Sequence, residues 1–407
     1  MRILFVTPYL PSPPGFGGQR RMHGMMSGLA RSHEVSALSL MNPAESHERS
    51  LGATREYCRE VVVIPNPAFA LDAGRKRLLQ LRSLGSRRSF EWLTHANPAF
   101  AAELRRLLAR GRFDIVSFEF AQMGAFRTAL GAGELHGART VLDEHNVEHE
   151  ILRRTAATEA GLVRRLYSAV NWRKLRHEEL DAVRSFDGCT VTSVHDQALL
   201  LRDVPQARTA VVPNAADVEH FKPRAGAPAR EPMTILFFGA INYFPNADGL
   251  QFFLREIFPR VLARCPAARL RVVGHTPREL FALSGENVEM KGLVDDVRVE
   301  LERTAAVIAP LRVGGGTRLK ILEAMAMGKA VVSTSQGAEG LEVAHGRELL
   351  IADEPAAFAS ELCRVLEDAA LARGLGAAAR RLVEDRYGWP AAVATLERFY
   401  QQLAATP

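Results

Sequence analysis

Residues 310–328 read Pro-Leu-Arg-Val-Gly-Gly-Gly-Thr-Arg-Leu-Lys-Ile-Leu-Glu-Ala-Met-Ala-Met-Gly, a glycine loop and two cations set against one carboxylate in apolar surroundings. Residues 321–327 are apolar on every side except at Glu323, which predicts a buried helix, and a buried carboxylate is costly unless something donates hydrogen bonds to it. A ribose diol is such a donor. Gly314, Gly315 and Gly316 permit close backbone approach, and a helix start near Thr317 offers unpaired N–H groups and the positive end of the dipole to an anion. Arg318 and Lys320 add full charges there, so the segment suits a nucleoside diphosphate. The same residues also allow a plainer arrangement: Thr317 as an N-cap, Arg318 and Lys320 solvated, and Lys320 paired with Glu323. The chain has no Gly-x4-Gly-Lys-Ser/Thr phosphate loop.

Such a segment needs a scaffold, and 407 residues suffice for two domains with separate cores. At 47% hydrophobic and 24% charged residues the composition is that of an ordinary globular protein. The four cysteines, Cys58, Cys189, Cys265 and Cys363, are far apart, which argues against a zinc site and a disulfide framework. The opening apolar run is too short for a signal peptide, and no later stretch reaches the roughly 18 apolar residues that span a bilayer. A cytoplasmic location is expected. The net charge of +6 is concentrated in two runs. One holds Arg75, Lys76, Arg77, Arg82, Arg87 and Arg88. The other runs from Arg153 to Arg176 in helical pattern with Leu162, Leu166, Val170 and Leu175. Both runs fit contact with anionic lipid at the inner face of a membrane; both equally fit solvated faces, since Glu159, Glu178, Glu179 and Asp181 partly balance the second. A nucleic-acid partner is not expected, because no basic stripe carries stacking aromatics and aromatics are only 7%.

Short apolar runs at 2–7, 35–40, 61–64, 114–118, 140–143, 188–193 and 210–212 read as strands, with helices at 20–31, 98–110 and a long one over 147–185. A Pro/Gly/Ala-rich stretch at 222–232 follows Pro213-Asn214, and the alternation then restarts. Strands are expected at 234–238, 270–273, 288–291, 306–309 and 330–334, with a helix over 247–265. This is an α/β pattern of two Rossmann-like halves. The boundaries fall at 1–213 and 214–388, with a final helix in 389–407 that the sequence alone assigns to neither half.

The order and spacing of several motifs make the chain similar to the retaining, nucleotide-sugar-dependent glycosyltransferases of family 4. They are the first strand with Gly17-Gly18, Asp143-Glu144-His145-Asn146, Val212 to Asp217, Phe238-Gly239, Val273-Gly274, Val288 to Gly292, and Gly316 to Gly328 with Val331 to Thr334. The wording Leu-Glu-Ala-Met-Ala-Met-Gly, and Gly-Ala-Glu-Gly-Leu at 337–341, most resembles bacterial exopolysaccharide and envelope polysaccharide sugar transferases. The resemblance covers nearly the whole chain and implies the GT-B fold of two facing Rossmann-like domains. In it the first domain binds the acceptor, the second the nucleotide sugar, and the last helix crosses back to the first. Glu323 matches the second glutamate of the family's Glu-x7-Glu motif and would hold the donor ribose. Eight residues earlier stands Gly315 in place of the first glutamate, leaving backbone amides to face the donor sugar. The family tends to hold the diphosphate with cations after the first strand of the second domain, but here residues 240–248 have none, which leaves the task to Arg318 and Lys320. His145 matches the histidine that faces the donor sugar; its plainer reading is a strand-end histidine bonded to Glu144 or Glu148. Gly17, Gly18 and Asn146 would line the acceptor side, the glycines alternatively forming an ordinary turn. Gly239, Gly274, Gly292 and Leu293, with Gly314 to Gly316, Thr317 and Leu319, would contact the donor.

The resemblance therefore implies transfer of a sugar from a UDP- or GDP-linked donor to a glycan or lipid-linked oligosaccharide, with retention. No cofactor, catalytic base or metal is expected, since no Asp-x-Asp stands at a strand end. Two competitors remain at this point: a sugar-nucleotide epimerase of the same architecture, and a non-catalytic nucleotide-sugar-binding subunit, suggested by Gly315.

Overall fold

The computed structural model describes residues 1–158, 161–224, 226 and 230–405. Glu159 and part of the 222–232 stretch lie outside them. The chain divides into two compact units, one of Met1–Pro213 with Ala392–Pro407 and one of Asn214–Ala391.

Among the described residues the first unit holds seven parallel strands: β1 (Arg2–Thr7), β2 (Glu34–Met41), β3 (Glu60–Pro65), β4 (Ile115–Glu119), β5 (Arg139–Glu144), β6 (Gly188–Val191) and β7 (Thr209–Val211). Their order is β3-β2-β1-β4-β5-β6-β7. The described residues of the second hold six: β8 (Thr234–Phe238), β9 (Arg269–Val273), β10 (Val288–Gly292), β11 (Ala306–Ala309), β12 (Val331–Ser333) and β13 (Leu350–Ile351), in the order β10-β9-β8-β11-β12-β13. Both orders reverse direction beside the first strand of their sheet, and in open α/β sheets ligands bind outside the carboxyl ends of strands at that switch. The strands are nearly continuous apolar runs because helices cover both faces. In β8, Ile235 and Phe237 join one buried cluster while Leu236 and Phe238 join the other.

Two expected helices are interrupted. The stretch 147–185 forms two, Glu148–Thr158 and Leu162–Ser185, with Gly161 extended at the start of the second. The helix expected over 247–265 becomes Phe244–Phe252, a wide turn at Phe253–Ile257, and Phe258–Arg264. Pro259 lacks the N–H that a regular turn would use, so the backbone widens there.

The last helix, Trp389–Ala404, buries Ala392, Leu396, Phe399, Tyr400 and Leu403, one face at helical spacing. Two glycines of the first unit receive it: a Cβ at Gly28 would lie 2.5 Å from Val393, and one at Gly188 2.6 Å from Phe399. His33 Nε2 meets Glu397 Oε1 at 2.9 Å.

Candidate functional site

In the second unit the strand ends converge. Gly239, Gly274 and Gly292 follow or end the adjacent strands β8, β9 and β10, all with positive φ (135°, 136° and 70°). The Gly239 N–H donates to Val273 O at 2.9 Å and the Gly274 N–H to Gly292 O at 2.8 Å. A Cβ on Gly274 would sit 1.8 Å from the Gly239 carbonyl oxygen, so only glycine allows these two turns to touch. Gly274→Ala is expected to cost about 3 kcal/mol and to lower the melting temperature by about 6–12 °C, read by calorimetry. Leu293, just beyond Gly292, is 73% exposed.

The glycine loop follows β11. Gly314 and Gly316 take φ of 127° and 66°. The helix it leads into runs Leu319–Ala326, with Arg318 at the N-cap and no side-chain cap. Thr317 is thus not the cap; it is buried, its Oγ1 makes no hydrogen bond among the described residues, and its carbonyl accepts from Asn214 at 3.3 Å. Arg318 Nη1 donates to the carbonyls of Gly315 and Gly316, holding the loop closed on itself. Leu319 packs on the core cluster beneath, and Glu323 is buried on the same helix.

Lys320 does not turn to Glu323. Its Nζ donates to Asn246 Oδ1 at 2.6 Å, lies 4.6 Å from the centre of the Phe237 ring, and would be 3.2 Å from a Cβ on Gly239. Asn246 is fixed in turn by donating to Ala240 O at 2.8 Å. The helix of the carboxylate therefore delivers its ammonium to the loop after β8, the stretch that has no cation of its own before Arg255. Burial first and the Arg318 charge second bring this ammonium down to about 7. No carboxylate forms an ion pair with it among the described residues, an arrangement that suits an incoming anion. Asn246 and Phe237 carry no motif that marks them in the sequence.

In the first unit the carboxyl ends of β4 and β5 hold a buried polar set. His145 Nε2 lies 2.9 Å from Glu119 Oε2 and 3.5 Å from Asp143 Oδ2. Its partners are therefore these two, not Glu144 or Glu148. Its Nδ1 makes no hydrogen bond among the described residues. Arg21 grips Asp143 with two bonds of 2.8 and 2.7 Å and donates to Val212 O. Burial alone would raise the Asp143 carboxyl, but the Arg21 charge and hydrogen bonds outweigh it and hold it at about 2. Burial, with the Asp143 charge, keeps Glu119 well above the usual carboxylate range. Burial also takes the His145 imidazolium down to about 3, Asp143 opposing and Arg21 assisting. Burial thus favours the neutral form of both the imidazole and the Glu119 carboxyl. Glu119, Asp143 and His145 bring ligand atoms within 4.8 Å of one another, and both oxygens of Asp143 already accept from the Arg21 guanidinium.

The His145 ring stacks on Phe120, centroids 3.7 Å apart, and Phe120 holds φ at 71°. Tyr9 packs on Phe120 and Phe16, and a Cβ on Gly18 would meet the Tyr9 hydroxyl at 2.2 Å. Gly17 and Gly18 are the first residues of the helix Gly17–Leu29, not a turn before it. Asn146 is half-buried and donates to Glu148 at 3.2 Å. Ser117 donates to Glu119 at 3.0 Å, and Tyr400 of the last helix is buried.

A family model described as Glycosyltransferase Family 4 matches residues 17–220, and one described as Glycosyl transferases group 1 matches residues 232–368. Among curated proteins, an uncharacterized 44.6 kDa protein in the cps region of Klebsiella pneumoniae is 28% identical over 144 residues, 31% of this chain and 36% of that protein. A phosphatidylinositol N-acetylglucosaminyltransferase subunit of Arabidopsis thaliana is 29% identical over 161 residues, 37% of this chain and 34% of that one. The matched stretches thus span about a third of either relative. Among solved structures, a sucrose-phosphate synthase from Thermosynechococcus elongatus shares the fold at a TM-score of 0.77, with 19% identity and full coverage of both chains. Anabaena HepE in complex with UDP does so at 0.68, with 15% identity over 99% of this chain and 100% of that one. TarM aligns at 0.72, with 11% identity over 100% of this chain and 99% of that one.

Proposed function

Because the chain belongs to glycosyltransferase family 4, we propose that it moves a sugar from a UDP- or GDP-linked donor to a glycan or lipid-linked oligosaccharide acceptor, with retention and without a metal, in the building of a bacterial surface polysaccharide. The observation that carries this reading is Lys320, whose ammonium is set among Asn246, Phe237 and Gly239 at the carboxyl ends of the second sheet, one turn from the buried Glu323. The relatives support its direction: one lies in a cps region, one is named for an N-acetylglucosaminyl transfer, and one solved neighbour holds UDP.

When the anomeric bond breaks, charge grows on the leaving diphosphate, and donors fixed there stabilise the transition state more than the ground state. Lys320 and the amides of the glycine loop supply that stabilisation, with Arg318 bracing the loop. Glu323 accepts the ribose hydroxyls, and His145 offers Nδ1 to the substrate. The acceptor proton passes to the leaving phosphate on the same face, so no separate base is required.

Calorimetric titration with UDP, GDP and ADP in metal-free buffer tests this. One nucleotide is expected to bind at micromolar strength, and Glu323→Ala to weaken it by at least tenfold. Binding without turnover of any sugar donor would favour the non-catalytic reading. Binding that requires a divalent ion would refute the metal-free one.

A further inference from the structure

Two helices of the first unit expose an unusual amount of apolar surface. On the helix Ala73–Gly85, Leu78, Leu81 and Leu84 are 67%, 65% and 43% exposed. At the start of Leu162–Ser185, Leu162, Val163 and Leu166 are 68%, 81% and 60% exposed, and Val170 is 41%. These two helices therefore hold seven of the fourteen large apolar side chains exposed on the described residues. The helices are joined: Lys174 Nζ caps the first by donating to the carbonyls of Ser83 and Ser86 at 2.6 and 2.7 Å, and Ser83 Oγ lies 3.3 Å from the Tyr167 hydroxyl. Leu84 and Leu166 flank that seam.

Cations are interleaved with these side chains, and carboxylates are missing from them. Residues 73–85 and 162–177 contain no Asp or Glu. Lys76, Arg77, Arg82, Arg164 and Arg165 form no ion pair among the described residues, while Arg75 meets only Asp72. Of the carboxylates that balance the second run on paper, the three among the described residues are committed elsewhere. Glu178 is buried on Ser89, Glu179 is buried on the amides of Glu148 and His149, and Asp181 bonds Arg184.

We propose that this surface seats the protein on an anionic lipid bilayer, a role separate from the donor site. Aliphatic side chains flanked by unpaired cations match the interfacial pattern, the chains entering the headgroup boundary while the charges meet lipid phosphates. Protein partners are a poorer fit, since the cores of interfaces between proteins favour aromatics and are depleted in charge, whereas here the apolar side chains are aliphatic and interleaved with cations. A second copy fits worse still, because a two-fold contact would set the same cations against each other.

Sedimentation of the full chain with vesicles of phosphatidylcholine, alone or with about a third phosphatidylglycerol, tests this. At low salt the mixed vesicles are expected to take the protein down and the neutral ones to leave it in solution, with binding falling as salt rises. Arg77→Gln with Arg165→Gln should weaken partition about 25-fold, about fivefold for each charge. Leu81→Ser with Leu166→Ser should weaken it at least tenfold. Both pairs are exposed, and unchanged melting curves show that the fold is kept. Absence of binding to mixed vesicles at low salt, or unaltered partition in both double variants, overturns the proposal. So does a dimer in solution that the leucine variant disperses.

Discussion

Lys320→Met is expected to lower kcat/KM for the sugar donor by about 10²–10³, the usual cost of removing one fixed donor from a developing oxyanion, and yet to raise the melting temperature. The two effects share one cause. An ammonium held near Asn246 and Phe237 is poorly hydrated, and its proton affinity is brought down from 10.5 to about 7. Below pH 7 both folded and unfolded chains carry the proton, and the folded one bears the full penalty. Between pH 7 and 10.5 only the unfolded chain keeps it, so stability from this group rises with pH across that window. Methionine removes the penalty, and the stabilisation it gives should be largest at or below pH 7, read by thermal melting at pH 6, 8 and 9. A bound diphosphate restores the charge. Above pH 7 nucleotide binding should therefore take up a proton, fading toward pH 6; calorimetry in buffers of different ionisation heats measures it directly. Proton uptake that survives in Lys320→Met would remove Lys320 from the diphosphate site.

The second large effect concerns His145 and Glu119. His145→Ala should lower turnover by about 10²–10³, comparable to loss of a single positioned polar group. With its imidazolium at about 3, the ring stays neutral through the working range, so no break near pH 6.5 should appear in the rate profile. Glu119 acts through His145, holding Nε2 while Nδ1 has no hydrogen bond among the described residues. Because burial favours the neutral form of Glu119, Glu119→Gln keeps the shape of the group and should retain most activity, whereas Glu119→Ala should lose about tenfold. A merely structural carboxyl would not distinguish the two in kcat at equal fold content. The stability signs are opposite to those for Lys320. The Glu119 carboxyl is raised in the fold, so as pH climbs above 4.5 the unfolded chain releases a proton that the folded chain retains, and stability falls. The advantage of Glu119→Gln in melting temperature should grow as pH rises above 4.5.

Much of this architecture is legible in the residues. Apolar runs of four to eight residues separated by turn signals identify most of the strands, because parallel strands are covered on both faces. The buried helix around Glu323 follows from its unbroken apolar surroundings. What escapes is long-range. That Lys320 reaches the loop after β8 depends on β8 and β11 being neighbours, a property of strand order rather than of spacing along the chain. Glu119 was invisible for the same reason: it meets His145 only because β4 lies beside β5. Gly161 carried a readable break signal, yet the surrounding helical pattern outweighed it. Exposure of the leucines on the two basic helices was equally hidden, since periodicity describes a face without saying what covers it.

The seating of the helix Trp389–Ala404 has a consequence for synthesis. Met1–Pro213 cannot receive the buried Tyr400, nor fill the notches at Gly28 and Gly188, until the final residues exist. Asn214–Ala391 is continuous in sequence and faces no such wait. On the ribosome the later half should therefore become protease-resistant first, reversing the usual order in which the leading domain folds first. Nascent chains arrested just short of residue 392 should leave the leading segment as a near-native intermediate with a bare apolar groove, a natural client for chaperones.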